Sequence, residues 1–147
     1  MSVDHNARGG AAVAVLSRLE PWEANLILNL RLWCEGPNGQ SQVWSEYRKA
    51  LPSGKAQEAC RSFEVLLSTL IDNAQRPLVR HDVGCSCVGA DESVFAHLIK
   101  TASEGHLNDA ALIATLIAGP AKAEHIAIHS SIGIGLTFAR KVRMSGN

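Results

Sequence analysis

Apolar side chains recur every three or four positions along most of the chain, the spacing that places them on one face of an α-helix. The clearest stripe follows Ser53, a candidate N-cap residue, and ends before Pro77. Upstream of it, proline and glycine interrupt the pattern where turns are expected to separate helices. The first three predicted helices run from Pro21 to Gly36, from Gln40 to Leu51, and from Ser53 to the residues before Pro77.

The second half of the chain predicts three more helices. Asp91 and Asn108 are candidate N-cap residues for the fourth and the fifth. The segment Ala110–Ala118 is apolar almost all round, which predicts a helix surrounded by others at the centre of the fold. The sixth helix is expected to extend to Arg143, with a kink or break in the glycine-containing stretch Ser130–Gly135.

The segment from Arg76 to Ala90 breaks the helical pattern. It reads RPLVRHDVGCSCVGA, with a proline, two glycines, two cysteines and several β-forming residues, and no helical period fits it. Connections of this length that lack regular structure tend to be functional or tied down. We expect an ordered loop or a short extended segment, with strand content confined to Leu78–Val88 and Val13–Leu16.

Length and composition bound the fold class. The 147 residues, of which 46% are hydrophobic and 19% charged, suit one globular domain. The polar residues 1–10, which end in Gly9-Gly10, are expected to be disordered, and residues 11–147 to form a single helical domain. The predicted architecture is all-α, an irregular orthogonal bundle of five to six helices with an ordered loop that contains cysteine and glycine.

Charge and targeting signals exclude some classes of partner. Fourteen basic residues balance fourteen acidic ones, so no overall field draws the chain to nucleic acid or to an anionic membrane. The longest apolar run is about half of the ~20 residues that a transmembrane helix needs, and the N-terminus lacks the pattern of a signal peptide. We therefore expect a cytoplasmic protein whose four cysteines stay reduced and act as thiols or ligands.

Three soft-metal ligands lie close together in the irregular segment: His81, Cys85 and Cys87. Zinc prefers a tetrahedral shell of thiolate and imidazole ligands, and thiolate-rich ligation favours zinc or an iron–sulfur centre over magnesium or calcium. A closed structural site requires a fourth ligand, for which Cys34 is the best candidate. Weaker candidates for that position are Cys60, Asp82 and His106. One hypothesis is therefore a zinc ion held by His81, Cys85, Cys87 and Cys34.

Two further hypotheses for the same segment stay open. The first is thiol redox chemistry, because Cys85 and Cys87 precede a helix N-terminus, which stabilises a thiolate. The negative charges of Asp82, Asp91 and Glu92 oppose this effect, and the chain lacks the C-x-x-C motif in a βαβ unit that marks thioredoxin-like enzymes. The second is an ordinary loop with two half-buried thiols and a surface histidine.

Two classes of function follow. The sequence contains no P-loop, no G-x-S-x-G motif and no distinctive pair of carboxylates. This favours a non-enzymatic binding or regulatory module for an unidentified small ligand or protein partner, such as a partner helix in a groove, with a structural metal where one is bound. The alternative is a small thiol- or metal-dependent enzyme centred on Cys85, Cys87 and His81. The sequence specifies no oligomeric state.

Two segments carry a resemblance to other proteins. Residues 31–37, RLWCEGP, and residues 80–92, RHDVGCSCVGADE, resemble parts of a group of short bacterial proteins of uncharacterised function. The likeness covers most of the chain after residue 15. It implies a bacterial cytosolic protein, and it carries no activity, cofactor or catalytic residue.

Overall fold

Six α-helices and two short strands form the part of the chain that the structure, a computed structural model, describes: residues 9–131 of 147. The helices are α1 (Pro21–Glu35), α2 (Pro37–Ala50), α3 (Ser53–Asn73), α4 (Ala90–Ser103), α5 (Leu107–Ala118) and α6 (Ala123–Ser131). The strands are β1 (Ala12–Val15) and β2 (Cys87–Gly89). None of these helices is long and apolar enough to cross a membrane. The predicted all-α helical bundle is confirmed, with the addition of a very small sheet.

Proline sets the start of the first two helices. Pro21 and Pro37 each occupy the first turn of a helix, where a backbone N–H has no intrahelical partner in any case. Gly36 alone separates α1 from α2, and its φ of 119° lies in a region that glycine adopts readily. The sequence-based start of α2 at Gln40 is three residues late, because residues 37–39 also have the composition of a turn.

The core is centred on α3, whose Phe63 is fully buried. Its ring contacts the rings of Trp33 on α1, Tyr47 on α2 and Phe95 on α4, with centroid distances of 5.7, 6.1 and 6.3 Å. The contacts with Trp33 and Phe95 are edge-to-face, a geometry that adds to the stabilisation from burial. Four helices therefore meet at a single side chain.

Helix α5 does not occupy the centre, and the prediction made from Ala110–Ala118 is wrong on this point. Its buried residues are all alanines, spaced four apart, whereas Leu112 and Leu116 are 67% and 79% exposed. Alanines at this spacing form one small-residue face, along which α5 packs against α4 and α6. A helix that is apolar on every side carries no periodic signal for the face that turns inward.

The two strands join the N-terminal segment to the irregular segment before α4. They pair antiparallel, and just beyond the sheet the backbone N–H of Leu16 donates to the carbonyl of Ser86 at 2.9 Å. Each strand lies within one residue of a stretch in which the sequence predicts strand structure, Val13–Leu16 for β1 and Leu78–Val88 for β2. Their register is Ala12↔Gly89, Ala14↔Val88 and Val15↔Cys87, with an irregularity between Ala12 and Ala14.

Gly9 and Gly10 belong to the described part of the structure and contact the start of α4. The composition assigns both residues to a disordered terminus, and in the structure the carbonyl of Gly9 accepts the N–H of Asp91 at 2.9 Å. Residues 1–8 lie outside the described part of the chain. So does the predicted continuation of the sixth helix beyond Ser131, with its kink.

Gly39 on α2 lies against the backbone of α1, where an added Cβ would overlap the carbonyl oxygen of Leu32 and lie 2.7 Å from its carbonyl carbon. We expect Gly39→Ala to lower the free energy of unfolding by about 1–3 kcal/mol, because the clash is with backbone and not with a flexible side chain. Gly54→Ala on α3, where an added Cβ meets nothing within 4 Å, is the matched control and should be neutral or stabilising. Urea denaturation measures both, and equal stabilities would contradict the close approach of α1 and α2.

Candidate functional site

A fully buried ion pair joins α1 to α4. Arg31 donates from Nε to Oε2 of Glu92 at 2.7 Å and from Nη2 to Oε1 at 2.8 Å, and neither side chain is exposed to solvent. Two charges lose their hydration here, a cost that the ionic contact alone does not generally offset. The pair therefore depends on further hydrogen bonds, which the irregular segment supplies.

Arg31 binds this segment directly. Its Nη1 donates to the carbonyl oxygen of Cys85 and its Nη2 to that of Cys87, both at 2.7 Å. These carbonyls lie in a stretch with little regular secondary structure, where each buried backbone group needs a partner. Because the guanidinium is planar and its donors point in fixed directions, it sets the spacing of the two carbonyl groups.

Glu92 binds the same segment from the other side. The backbone N–H groups of His81 and Gly89 donate to its carboxylate at 3.1 and 3.0 Å. Glu92 is the third residue of α4, from which a carboxylate characteristically reaches back to the residue before the helix. Neither Arg31 nor Glu92 is recognisable from the sequence as a positioning residue. The one available signal was a charged residue within the apolar stripe of α1.

Asp91 holds the beginning of the segment. Its carboxylate accepts two hydrogen bonds from the guanidinium of Arg76, each of 2.9 Å, and one from the backbone N–H of Val79 at 2.8 Å. Gly9 has a φ of 90°, and a Cβ there would overlap this carboxylate, so the position requires glycine. The N-cap of α4 is thus Gly89 and not Asp91 as predicted, because the Asp91 carboxylate is bound by the loop.

His81 is completely buried and bonded at both ring nitrogens. Its Nε2 lies 2.8 Å from the carbonyl oxygen of Gly10, and its Nδ1 lies 3.3 Å from Sγ of Cys85. A carbonyl only accepts hydrogen bonds, so Nε2 carries a proton and Nδ1 faces the thiol. Gly89 leaves room for the ring, since a Cβ there would lie 2.9 Å from Nε2. The Cys85 thiol therefore contacts a base, His81, whose ring is oriented by the Gly10 carbonyl.

The surroundings of Cys85 favour its thiolate form. The hydrogen bond with His81, followed by one from the backbone N–H of Cys87, lowers the pKa of the Cys85 thiol. Burial lowers the pKa of His81, but the Cys85 sulfur, the Gly10 carbonyl and the Glu92 carboxylate outweigh it, and the pKa of the imidazole is raised. The two shifts favour a proton on His81 and a negative charge on Cys85.

Two other cysteines lie in different surroundings. Cys60 is buried in the core, and burial raises the pKa of its thiol to about 12. Cys34, near the end of α1, lines an apolar pocket of about 230 Å³ beside Leu78 and Arg80, and burial raises the pKa of its thiol as well. These two thiols are poor nucleophiles at neutral pH, in contrast to Cys85.

The structure brings the four predicted zinc ligands only partly together. His81 contacts Cys85, and Cys87 follows two residues later at the start of β2, whereas Cys34 lines the separate apolar pocket. Within residues 9–131, no group of three or more histidine, cysteine, aspartate or glutamate side chains is arranged to hold a metal ion. A zinc ion held by His81, Cys85, Cys87 and Cys34 has no geometric support here and stays a prediction.

We expect Glu92→Gln to destabilise the fold strongly, because the change leaves the buried charge of Arg31 without a counter-ion. The free energy of unfolding should fall by about 3–5 kcal/mol. Glu64→Gln removes the same charge from an exposed position on α3 and should change stability by less than about 0.5 kcal/mol. Urea denaturation of the two variants compares them directly, and similar values would show that the buried pair does not organise the structure.

Comparisons of this chain with protein-family models, with curated proteins and with solved structures find no match. The resemblance of residues 31–37 and 80–92 to short bacterial proteins stays a prediction. Function is therefore inferred from the geometry of the site, in which a buried ion pair holds a loop whose Cys85 thiol faces the Nδ1 atom of His81.

Proposed function

We propose that the protein is a small thiol-dependent enzyme in which Cys85 is the nucleophile and His81 is its base. The observation that carries this proposal is the orientation of the imidazole. With Nε2 bound to the Gly10 carbonyl, Nδ1 lies 3.3 Å from the Cys85 sulfur. A histidine held in one tautomer against a half-exposed thiol is the arrangement that activates cysteine nucleophiles.

The proton follows a short path in this arrangement. Nδ1 of His81 takes the proton of the Cys85 thiol and then donates a hydrogen bond to the thiolate. The Gly10 carbonyl and the negative charge of Glu92 stabilise the imidazolium that results. When the thiolate attacks an electrophilic atom, Nδ1 donates its proton to the leaving group. The hydrogen bond to Gly10 keeps the ring in place throughout.

Substrate reaches the sulfur from solvent without displacing the base. Cys85 is half-exposed, and its neighbours Asp82, Gly84 and Ser86 are exposed, whereas His81 is fully buried behind them. The bond from Arg31 to the Cys85 carbonyl holds the backbone at the nucleophile. A nucleophile and base fixed in advance need little reorganisation as the reaction proceeds.

A binding or regulatory module is the second candidate, and the surface of α5 favours it. Leu112 and Leu116 lie one turn apart and are largely exposed. Apolar helix faces of this kind serve as docking sites for partner helices. The two candidates differ in what they require of Cys85, since an enzyme needs its thiolate near neutral pH and a module does not.

Alkylation of Cys85 by iodoacetamide should reach its maximal rate at a lower pH than alkylation of Cys34. The thiolate is the reactive form, and the pKa is lowered at Cys85 and raised at Cys34. About two pH units below the ordinary thiol pKa, we expect Cys85 to react at least ~10-fold faster. Peptide mass mapping after timed alkylation measures both rates in one sample. Equal rates at that pH would contradict the activated thiol and favour the binding module.

Gly89→Ala should weaken the pairing of Cys85 with His81, because the added methyl group pushes on the ring at Nε2 and Cδ2. The pH at which alkylation of Cys85 is half-maximal should then rise towards the ordinary thiol value. Gly84→Ala is the matched control in the same segment, since an added Cβ there meets nothing within 4 Å. The same alkylation profile for both variants would mean that the position of the imidazole does not govern the reactivity of Cys85.

A further inference from the structure

Building on the proposed nucleophile, we propose that the substrate of Cys85 is a disulfide and that Cys87 resolves the mixed disulfide that forms. The protein would then exchange its two thiols for one Cys85–Cys87 disulfide while the substrate disulfide is reduced. Cys87 becomes a second catalytic residue in this reaction. The resolving role of Cys87 rests on the proposed function, because it requires a reactive Cys85. Cys85 can be reactive without a resolving cysteine.

The geometry that supports a resolving role is the position of Cys87 two residues from Cys85 on a backbone that Arg31 holds. Nη1 and Nη2 of Arg31 donate to the carbonyl oxygens of Cys85 and Cys87, both at 2.7 Å, so these two carbonyls face the same guanidinium. Cys87 begins strand β2, and Cys85 precedes that strand by two residues. Carbonyls of residues i and i+2 that face one partner are typical of extended backbone, on which side chains two residues apart point to the same side. Both cysteines are half-exposed, so a bound substrate half does not have to leave a closed cavity before Cys87 attacks.

Electrons and protons balance in two steps. The Cys85 thiolate attacks one sulfur of the substrate and forms a mixed disulfide, and the other half leaves as a thiolate that takes the proton from Nδ1 of His81. The Cys87 thiol then gives its proton to His81 and attacks the Cys85 sulfur, releasing the second half, which is protonated in turn. The substrate gains two electrons and two protons, and the protein loses two thiol hydrogens.

A disulfide suits this site better than a hydroperoxide does. Reduction of a peroxide benefits from charged donors aimed at the oxygen that departs. Three arginines belong to the loop or contact it. Arg31 donates to Glu92 and to the carbonyls of Cys85 and Cys87, Arg76 donates to Asp91, and Arg80 donates to the carbonyl of Cys34. Exchange with a disulfide needs only an accessible thiolate, a proton donor and a second thiol, all of which the loop supplies.

The product disulfide is expected to be strained and therefore easily reduced. Residues two apart on an extended chain have Cα atoms near the upper end of the range usual for disulfides. Arg31 binds the carbonyl oxygens of both Cys85 and Cys87, which resists the contraction of the backbone that the bond requires. Strained, accessible disulfides are the labile ones. The Cys85–Cys87 disulfide would thus be readily reduced again. It would carry electrons between thiol compounds and would not serve as a structural bond.

The test uses the reduced full-length chain with oxidised β-mercaptoethanol as the disulfide probe. The intact mass should fall by two hydrogen atoms with no adduct retained, and peptide mapping under non-reducing conditions should locate the bond between Cys85 and Cys87. Cys87→Ser should instead retain one mercaptoethanol on Cys85. Cys34→Ser is the matched control and should behave as the unsubstituted chain. Circular dichroism checks the fold of each variant, and Cys87→Ala replaces Cys87→Ser if the serine variant loses its helical signal.

The outcomes separate this inference from the proposed function. If the unsubstituted chain retains the mixed disulfide on Cys85 as fully as Cys87→Ser does, the resolving role of Cys87 is overturned while the nucleophile stands. If neither an adduct nor a bond forms at Cys85, both proposals fail. Hydrogen peroxide at the same concentration should oxidise the pair more slowly than the disulfide probe, and a faster reaction with peroxide would overturn the assignment of the substrate.

Discussion

The buried ion pair of Arg31 and Glu92 is the contact on which the irregular segment before α4 depends. It joins two helices of the bundle through side chains that have no exposure to solvent. Removing two charges from water is costly, and the cost is offset here by hydrogen bonds to the carbonyls of Cys85 and Cys87 and from the N–H groups of His81 and Gly89. The segment and the ion pair therefore stabilise each other.

This mutual dependence explains how a glycine-containing stretch without helical periodicity stays ordered among helices. Several of its backbone groups find partners in Arg31, in Glu92 and in the adjoining Asp91, as buried backbone groups require. The same contacts fix the backbone on both sides of Cys85, and Gly10 fixes the ring of His81. A reactive pair that is held by a rigid scaffold keeps its geometry without help from a bound ligand.

Much of the helical frame is predictable from the sequence because its signals are local. Pro21 starts α1, and apolar periodicity marks the stripe of α3 that surrounds Phe63. The orientation of α5 was not predictable, since a helix that is apolar all round has no preferred face until its neighbours are known. Local signals also misplaced the start of α2, where residues 37–39 suit both a turn and the first turn of a helix.

The candidate site was predictable in its residue types but not in its chemistry. His81, Cys85 and Cys87 stand out as a cluster of ligands and nucleophiles within one short segment. The groups that decide between those roles lie far away in sequence: Arg31 is 61 positions from Glu92, and Gly10 is 71 positions from His81. The tautomer of His81 follows from the second of these contacts, and no spacing in the sequence encodes it.

The protonation state of His81 tests the central claim most directly. In protein labelled with nitrogen isotope at histidine, NMR spectra that correlate ring protons with ring nitrogens distinguish the imidazolium from each neutral tautomer. Because burial is outweighed by the Cys85 sulfur, the Gly10 carbonyl and Glu92, which raise the pKa of His81, the imidazolium should persist to a higher pH in the unsubstituted chain than in Cys85→Ser. In both proteins it should convert to the neutral ring protonated at Nε2, and an equal midpoint in the two proteins would contradict the pairing of His81 with Cys85. A neutral His81 ring protonated at Nδ1 in the unsubstituted chain would contradict both the hydrogen bond to Gly10 and the activation of Cys85.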